Sequence, residues 1–144
     1  MNDVFVRTIP AWDEHAGQLR RAFRRWLILR RPHDDIDRWE RSLSELDDVD
    51  RWELAFSELV ANACAASPPG SPVGVEAHCV GQRLTLRVTN RRRPRSNPGV
   101  AQRARREDGG RGLLIVGHLL DGLVFKTDDG HTIATAWSKC PSCP

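Results

Sequence analysis

The sequence predicts an α+β domain, with a mixed, mostly antiparallel sheet and helices on one of its faces. Three observations carry that prediction. Apolar residues recur at helical spacing through the first half of the chain. The second half instead alternates in short runs around Gly81-Gln82 and Asp128-Asp129-Gly130, two hairpin signals. Strands therefore cluster late and pair with their neighbours, without the strand–helix–strand alternation of a parallel α/β sheet. Finally, 144 residues with no internal repeat and no composition break read as a single domain, long enough to bury a substantial core.

Taken in order, Val4 to Ile9 alternates weakly and reads as an edge strand ended by Pro10. From Trp12 to Arg30, residues Ala16, Leu19, Phe23, Trp26 and Leu27 line one side of a helix. Arg20, Arg21, Arg24 and Arg25 line the other, a solvated face or one that meets an acidic partner. Pro32 ends this helix. Ile36, Trp39, Leu43 and Leu46 then suit a separate short helix within the acidic stretch from His33 to Leu46. Asp50 opens the central helix, because Asp50 and Glu53 have capping-box spacing and Val49 with Leu54 the spacing of a hydrophobic staple. Pro68-Pro69-Gly70 stops it. Strands follow at Val73 to Val80 and Arg83 to Thr89. From Asn90 to Gly109 periodicity is lost in an arginine-rich run that reads as a lid or a disordered segment. A helix from Arg111 to about Leu120 and strands at Leu123 to Thr127 and Thr132 to Trp137 complete the chain.

Composition sets limits on function. No apolar run approaches the ~20 residues needed to span a bilayer, and MNDVFVRTIP lacks a signal-peptide pattern, so the expected location is cytoplasmic with no membrane partner. The net charge of +3 is mild. The arginine run could neutralise phosphates, but no aromatic is interleaved for base stacking and Glu107-Asp108 sit beside it, which argues against direct nucleic-acid binding. Cys64 and Cys79 read as small core residues. Cys140 and Cys143 supply two metal ligands rather than four, and their flanking prolines argue against a redox helix, so 140–144 reads as a frayed, disordered tail. The five histidines match no metal spacing.

Chemistry concentrates in two stretches. In the central helix, Trp52 to Ser67, Glu58 and Asn62 are four apart and share a face with Arg51, Ala55 and Ala65. Phe56, Val60 and Ala63 point the opposite way. A single carboxylate and a single amide among alanines leave room for a ligand to come close; the plainer alternative is a solvated Glu beside an Asn. Downstream, Gly109-Gly110-Arg111-Gly112 runs into Leu113-Leu114-Ile115-Val116. Glycines let the backbone approach a ligand, and the free N–H groups that open the following helix favour an anion. The run does not fit the dinucleotide fingerprint, since Ile115 stands where the third glycine belongs, and it is no P-loop. Together the two stretches suggest a phosphate site with a metal and a base opposite, facing the glycine corner across a nucleotide-sized gap.

In order, Glu58 to Asn62 (ELVAN), a strand ending in Val88-Thr89-Asn90, the lid and Gly109 to Val116 (GGRGLLIV) resemble the boxes of the GHKL ATPases. Within that family the chain looks most like the stand-alone anti-sigma-factor serine/threonine kinases of the RsbW and SpoIIAB type. The similarity covers roughly the whole chain in element order, which makes 1–139 one ATP-binding domain with a lid at about 91–109. The His33 to Leu46 segment looks like an insertion.

The resemblance implies a two-layer Bergerat-type sandwich with ATP between the helices and the lid. It implies that Asn62 holds Mg²⁺ through its side-chain oxygen and that Glu58 is the base that deprotonates a serine hydroxyl. It places Gly109, Gly110, Arg111, Gly112 and Leu113 in the box that, with the lid arginines, cradles phosphate. The partners it implies are a sigma factor and a STAS-domain anti-anti-sigma protein, the latter being the phosphorylation target; it leaves homodimerisation open. One departure bears on the site. The family usually has Asp-x-Gly-x-Gly where this chain has Asn90-Arg-Arg-Arg-Pro94. Asn90 keeps an acceptor oxygen for the adenine amino group but loses the charge that strengthens such a bond; equally, it reads as a turn-forming residue at a strand end. Two functions follow as expectations: an ATP-dependent kinase, or a catalytically inactive module that sequesters a sigma factor or STAS partner without ATP turnover.

Overall fold

Alternating burial along the late strands builds the sheet. The structure, a computed structural model, describes residues 4–12, 14, 16–29, 38–92 and 110–139, without the side chains of 38–47 and 110–111. Strands β2 (Pro72–Val80) and β3 (Arg83–Arg91) form a hairpin, and β1 (Val4–Pro10) lies outside β2. Strands β4 (Gly122–Asp128) and β5 (His131–Lys139) form a second hairpin that joins through β5, giving the order β1-β2-β3-β5-β4. All four pairings are antiparallel. Residues in register share a face, so Val75, Val88 and Ala134 form one buried row, and Ala77, Leu86 and Ala136 the next. Glu76, Arg87 and Thr135 fall on the opposite face, and a long ion pair joins Glu76 to Arg87 at 3.8 Å.

The second hairpin turns through Asp129 (φ 45°) and Gly130 (φ 77°). Positive φ at both residues is the type I′ geometry whose twist matches paired strands. At the start of the same hairpin, Gly122 lies opposite Trp137, and a Cβ at position 122 would overlap the indole ring. The Arg83 guanidinium sits 5.3 Å from the centroid of that ring.

Helix α1 (Ala16–Leu29) buries Leu19, Phe23 and Leu27 of the predicted stripe and leaves Ala16 and Trp26 half-buried. Phe23 stacks on Phe56 at 4.3 Å and 12°, and meets Phe5 of β1 edge-on at 5.6 Å. These rings tie α1, α2 and the edge strand together.

Helix α2 (Arg38–Ala66) corrects the sequence reading. The short helix and the central helix are one element of 29 residues, and Asp50 is not its cap. No Gly or Pro interrupts Arg38 to Ala66, so nothing compels a break. The acidic pair that resembled a capping box instead reaches sideways to α1. Arg24 Nη1 donates to Asp50 Oδ1 at 2.6 Å and pairs with Glu53 as well. Arg20 Nε lies 3.4 Å from Glu53. Hydrogen bonds donated to Asp50 and then to Glu53 hold the Arg24 guanidinium above its ordinary pKa. Leu54 is 43% exposed and staples nothing, whereas Val49 is buried.

Helix α3 (Gly110–Leu119) packs across α2 and buries Val116, with Leu120 just beyond it. Helices α1 and α2 contact the sheet through β1, β2 and β3, over the face that carries the buried rows. No helix among the described residues is long and apolar enough to cross a membrane. Cys64 is a free, buried thiol, as expected. Cys79 packs against the core, half-buried near the exposed end of β2, and is also disulfide-bonded. The tail that holds Cys140 and Cys143 lies outside the described residues.

Candidate functional site

The polar stripe of α2 forms as its spacing predicts. Glu58 and Asn62 lie one turn apart, and both are half-buried. Behind them Phe56, Val60 and Ala63 are buried in the core. The front is less open than a row of alanines suggests. Ala55 is fully buried, and α3 packs on α2. Arg51, two turns before Glu58, pairs with Asp48, and its Nε is buried with no hydrogen-bond partner among the described residues.

The glycine box meets this stripe directly. Gly110 opens α3, and Gly112 is buried against Glu58. A Cβ built on Gly112 would overlap the Glu58 carboxylate and stand 3.1 Å from its Cδ; the three atoms nearest to it all belong to Glu58. The sequence expected these motifs to face each other, and they do. It also expected an open gap between them. At this point the gap is closed, because the carboxylate itself rests on the helix where a side chain is missing. The first turn of a helix carries unpaired N–H groups and the positive end of its dipole, a favourable environment for a carboxylate. The same environment would favour a phosphate.

Asn90 sits at the far end of β3, in register with Val73 on one side and Thr132 on the other. It is 4% exposed. Pairing on both sides sets aside the reading of a turn-forming residue. Its Nδ2 donates to the Arg91 carbonyl at 3.2 Å, which leaves Oδ1 as an acceptor.

The remaining predicted residues divide simply. Leu113 is half-buried and packs on the core, a structural role in the first turn of α3. The side chain of Arg111 and the whole of Gly109 lie outside the described residues, as do lid positions 93–109. The first residues assigned to the lid belong to the sheet. Arg91 is in register with His131, and the Arg92 N–H donates to the Gly130 carbonyl at 2.8 Å.

Sequence reasoning singled out Gly112 as a phosphate-cradling glycine and missed its contact with Glu58. The available signal was a glycine inside a helix, where alanine is favoured by about 1 kcal/mol unless something occupies the place of the side chain.

A family model described as a histidine kinase-like ATPase domain matches residues 9–137, from β1 into β5. No curated protein matches the chain.

Proposed function

Since the chain belongs to the histidine kinase-like ATPase domain family, we propose that it is an ATP- and Mg²⁺-dependent serine/threonine-protein kinase of the anti-sigma type. In this reading it phosphorylates a STAS-domain anti-anti-sigma protein and binds a sigma factor in alternation. The observation that carries the catalytic part is the meeting of Glu58 with the glycine turn of α3, which brings a base and an anion-favouring helix terminus to one point.

The residues present suit the groups the family implies. Asn62 offers a neutral, half-exposed amide oxygen, a hard donor of the kind Mg²⁺ takes while keeping several waters. The amides opening α3 suit phosphate oxygens, and Asn90, whose Nδ2 donates to the Arg91 carbonyl, has in Oδ1 an acceptor that suits the adenine amino group. When bound, Mg-ATP supplies the transferable phosphoryl group and the cation that offsets its charge. Glu58 accepts the proton of the acceptor serine as its oxygen bonds to the γ-phosphorus and the bond to the departing ADP breaks.

Calorimetric titration with ATP, with and without Mg²⁺, tests the reading before any partner is known. Binding that strengthens with Mg²⁺ in the parent and loses that dependence in Asn62→Ala is the expected result. A parent that binds no nucleotide sinks the kinase. One feature favours the second reading, a non-catalytic module that sequesters its partner: an uncharged Asn90 in place of the family's aspartate. Nucleotide binding without transfer to any acceptor would select it.

A further inference from the structure

We propose that Gly112 is a positioning residue for Glu58: the bare Cα of α3 is the seat on which the carboxylate rests, so the glycine sets where the base stands. The inference rests on the kinase reading for its catalytic consequence, but the seat itself is a property of the fold. Glycine boxes are read as places where backbone must approach phosphate. Here the neighbour that excludes a side chain is protein. Each of the three atoms nearest to a Cβ at position 112 belongs to Glu58: Oε2 in overlap, Cδ at 3.1 Å and Cβ at 3.6 Å. Gly112 is buried and Glu58 half-buried, so the contact lies between two packed helices and not on an open surface.

The backbone at position 112 does not itself require glycine. It is helical, and Gly112 is not among the positive-φ residues. Alanine would satisfy the helix better than glycine does. What alanine cannot do is leave the Glu58 carboxylate where it is. The overlapping atom is the free end of a flexible side chain, so the methyl group displaces the carboxylate and the helices stay in place. A substitution that moves the base without loosening the fold is therefore available at this position.

The experiment compares the parent with Gly112→Ala, Glu58→Asp and the double variant, reading thermal melting, hydrolysis of Mg-ATP with water as acceptor, and the ¹³C resonance of the Glu58 carboxyl. Gly112→Ala is expected to melt no lower than the parent while hydrolysis falls about a hundredfold, the scale of an ångström-sized misplacement of a catalytic group. The shorter carboxylate of Glu58→Asp costs activity alone but recovers roughly tenfold over Gly112→Ala when the methyl group is present. An undisturbed Glu58 resonance in Gly112→Ala overturns the seat. Unchanged hydrolysis, or a double variant no better than Gly112→Ala, overturns the positioning role. A parent that neither binds nor hydrolyses Mg-ATP removes the kinase reading and the positioning role together, whereas the carboxyl resonance still decides the seat.

Discussion

Two places where α2 meets its neighbours solve the same packing problem in opposite ways. At one, Phe56 receives Phe23 from α1 and Phe5 from β1, and aromatic rings fill the space with parallel and edge-on contacts. At the other, Glu58 receives Gly112 from α3, and the space is filled because one partner has no side chain at all. The aromatic junction gains area and dispersion, which stabilise the fold. The glycine junction gains little of either and keeps a carboxylate beside a helix terminus. The difference teaches where this molecule holds its stability and where it leaves a movable group.

The sharpest way to break the comparison is Phe23→Ala. Truncating a fully buried ring that packs against three others should cost about 3–5 kcal/mol, read by urea unfolding, with nucleotide affinity unchanged below the melting range. If Phe23→Ala weakened nucleotide binding in the folded protein, the two junctions would not be separable.

Glu58→Ala should do the reverse. ATP turnover is expected to fall about 10²–10⁴-fold, while the unfolding midpoint barely moves and nucleotide binds at least as tightly, since a negative charge has left the phosphate side. Turnover near the parent level would remove Glu58 from the role of base.

A smaller effect tests the adenine end. Asn90→Asp restores the charge of the family residue and should tighten nucleotide binding about fivefold through a charge-assisted hydrogen bond. The same change buries a carboxylate at a 4% exposed position, so unfolding should become easier. Weaker binding together with intact folding would argue that Asn90 does not read the base.

The smallest expected effect is at the bridge between α1 and α2. Arg24→Ala removes the contacts to Asp50 and Glu53, yet these groups remain accessible to solvent and salt. The expected loss is at most about 1 kcal/mol, shrinking as ionic strength rises.

The outline of the fold was legible because hydrophobic periodicity reports which side of an element is covered. Leu19, Phe23 and Leu27 went inside as spaced, and so did Leu84, Leu86 and Val88. What failed were inferences from local signals whose meaning depends on a distant partner. Asp50 and Glu53 look like a capping box in sequence, but arginines on another helix claim them, and α2 runs through. Cys79 packs against the core as read, but its bond to another cysteine is invisible in one-dimensional spacing. Of the candidate site, the two stretches were legible, the Glu58 and Asn62 stripe of α2 and the glycine turn at Gly112. Their contact was not, because sequence distance carries no information on how closely α3 settles onto α2.

Trp137 roofing Gly122 has a consequence for how the molecule behaves in company. Strand β4 is the outer rail of the sheet on that side, and it shows Val124 and Phe125 to solvent, each 42% exposed. A rail of this kind invites a stranger's strand to bond along it. The indole clamps the first rung of the rail through the absence of a single methyl group. That first rung keeps its place opposite Trp137 only because position 122 carries a hydrogen atom and no methyl group.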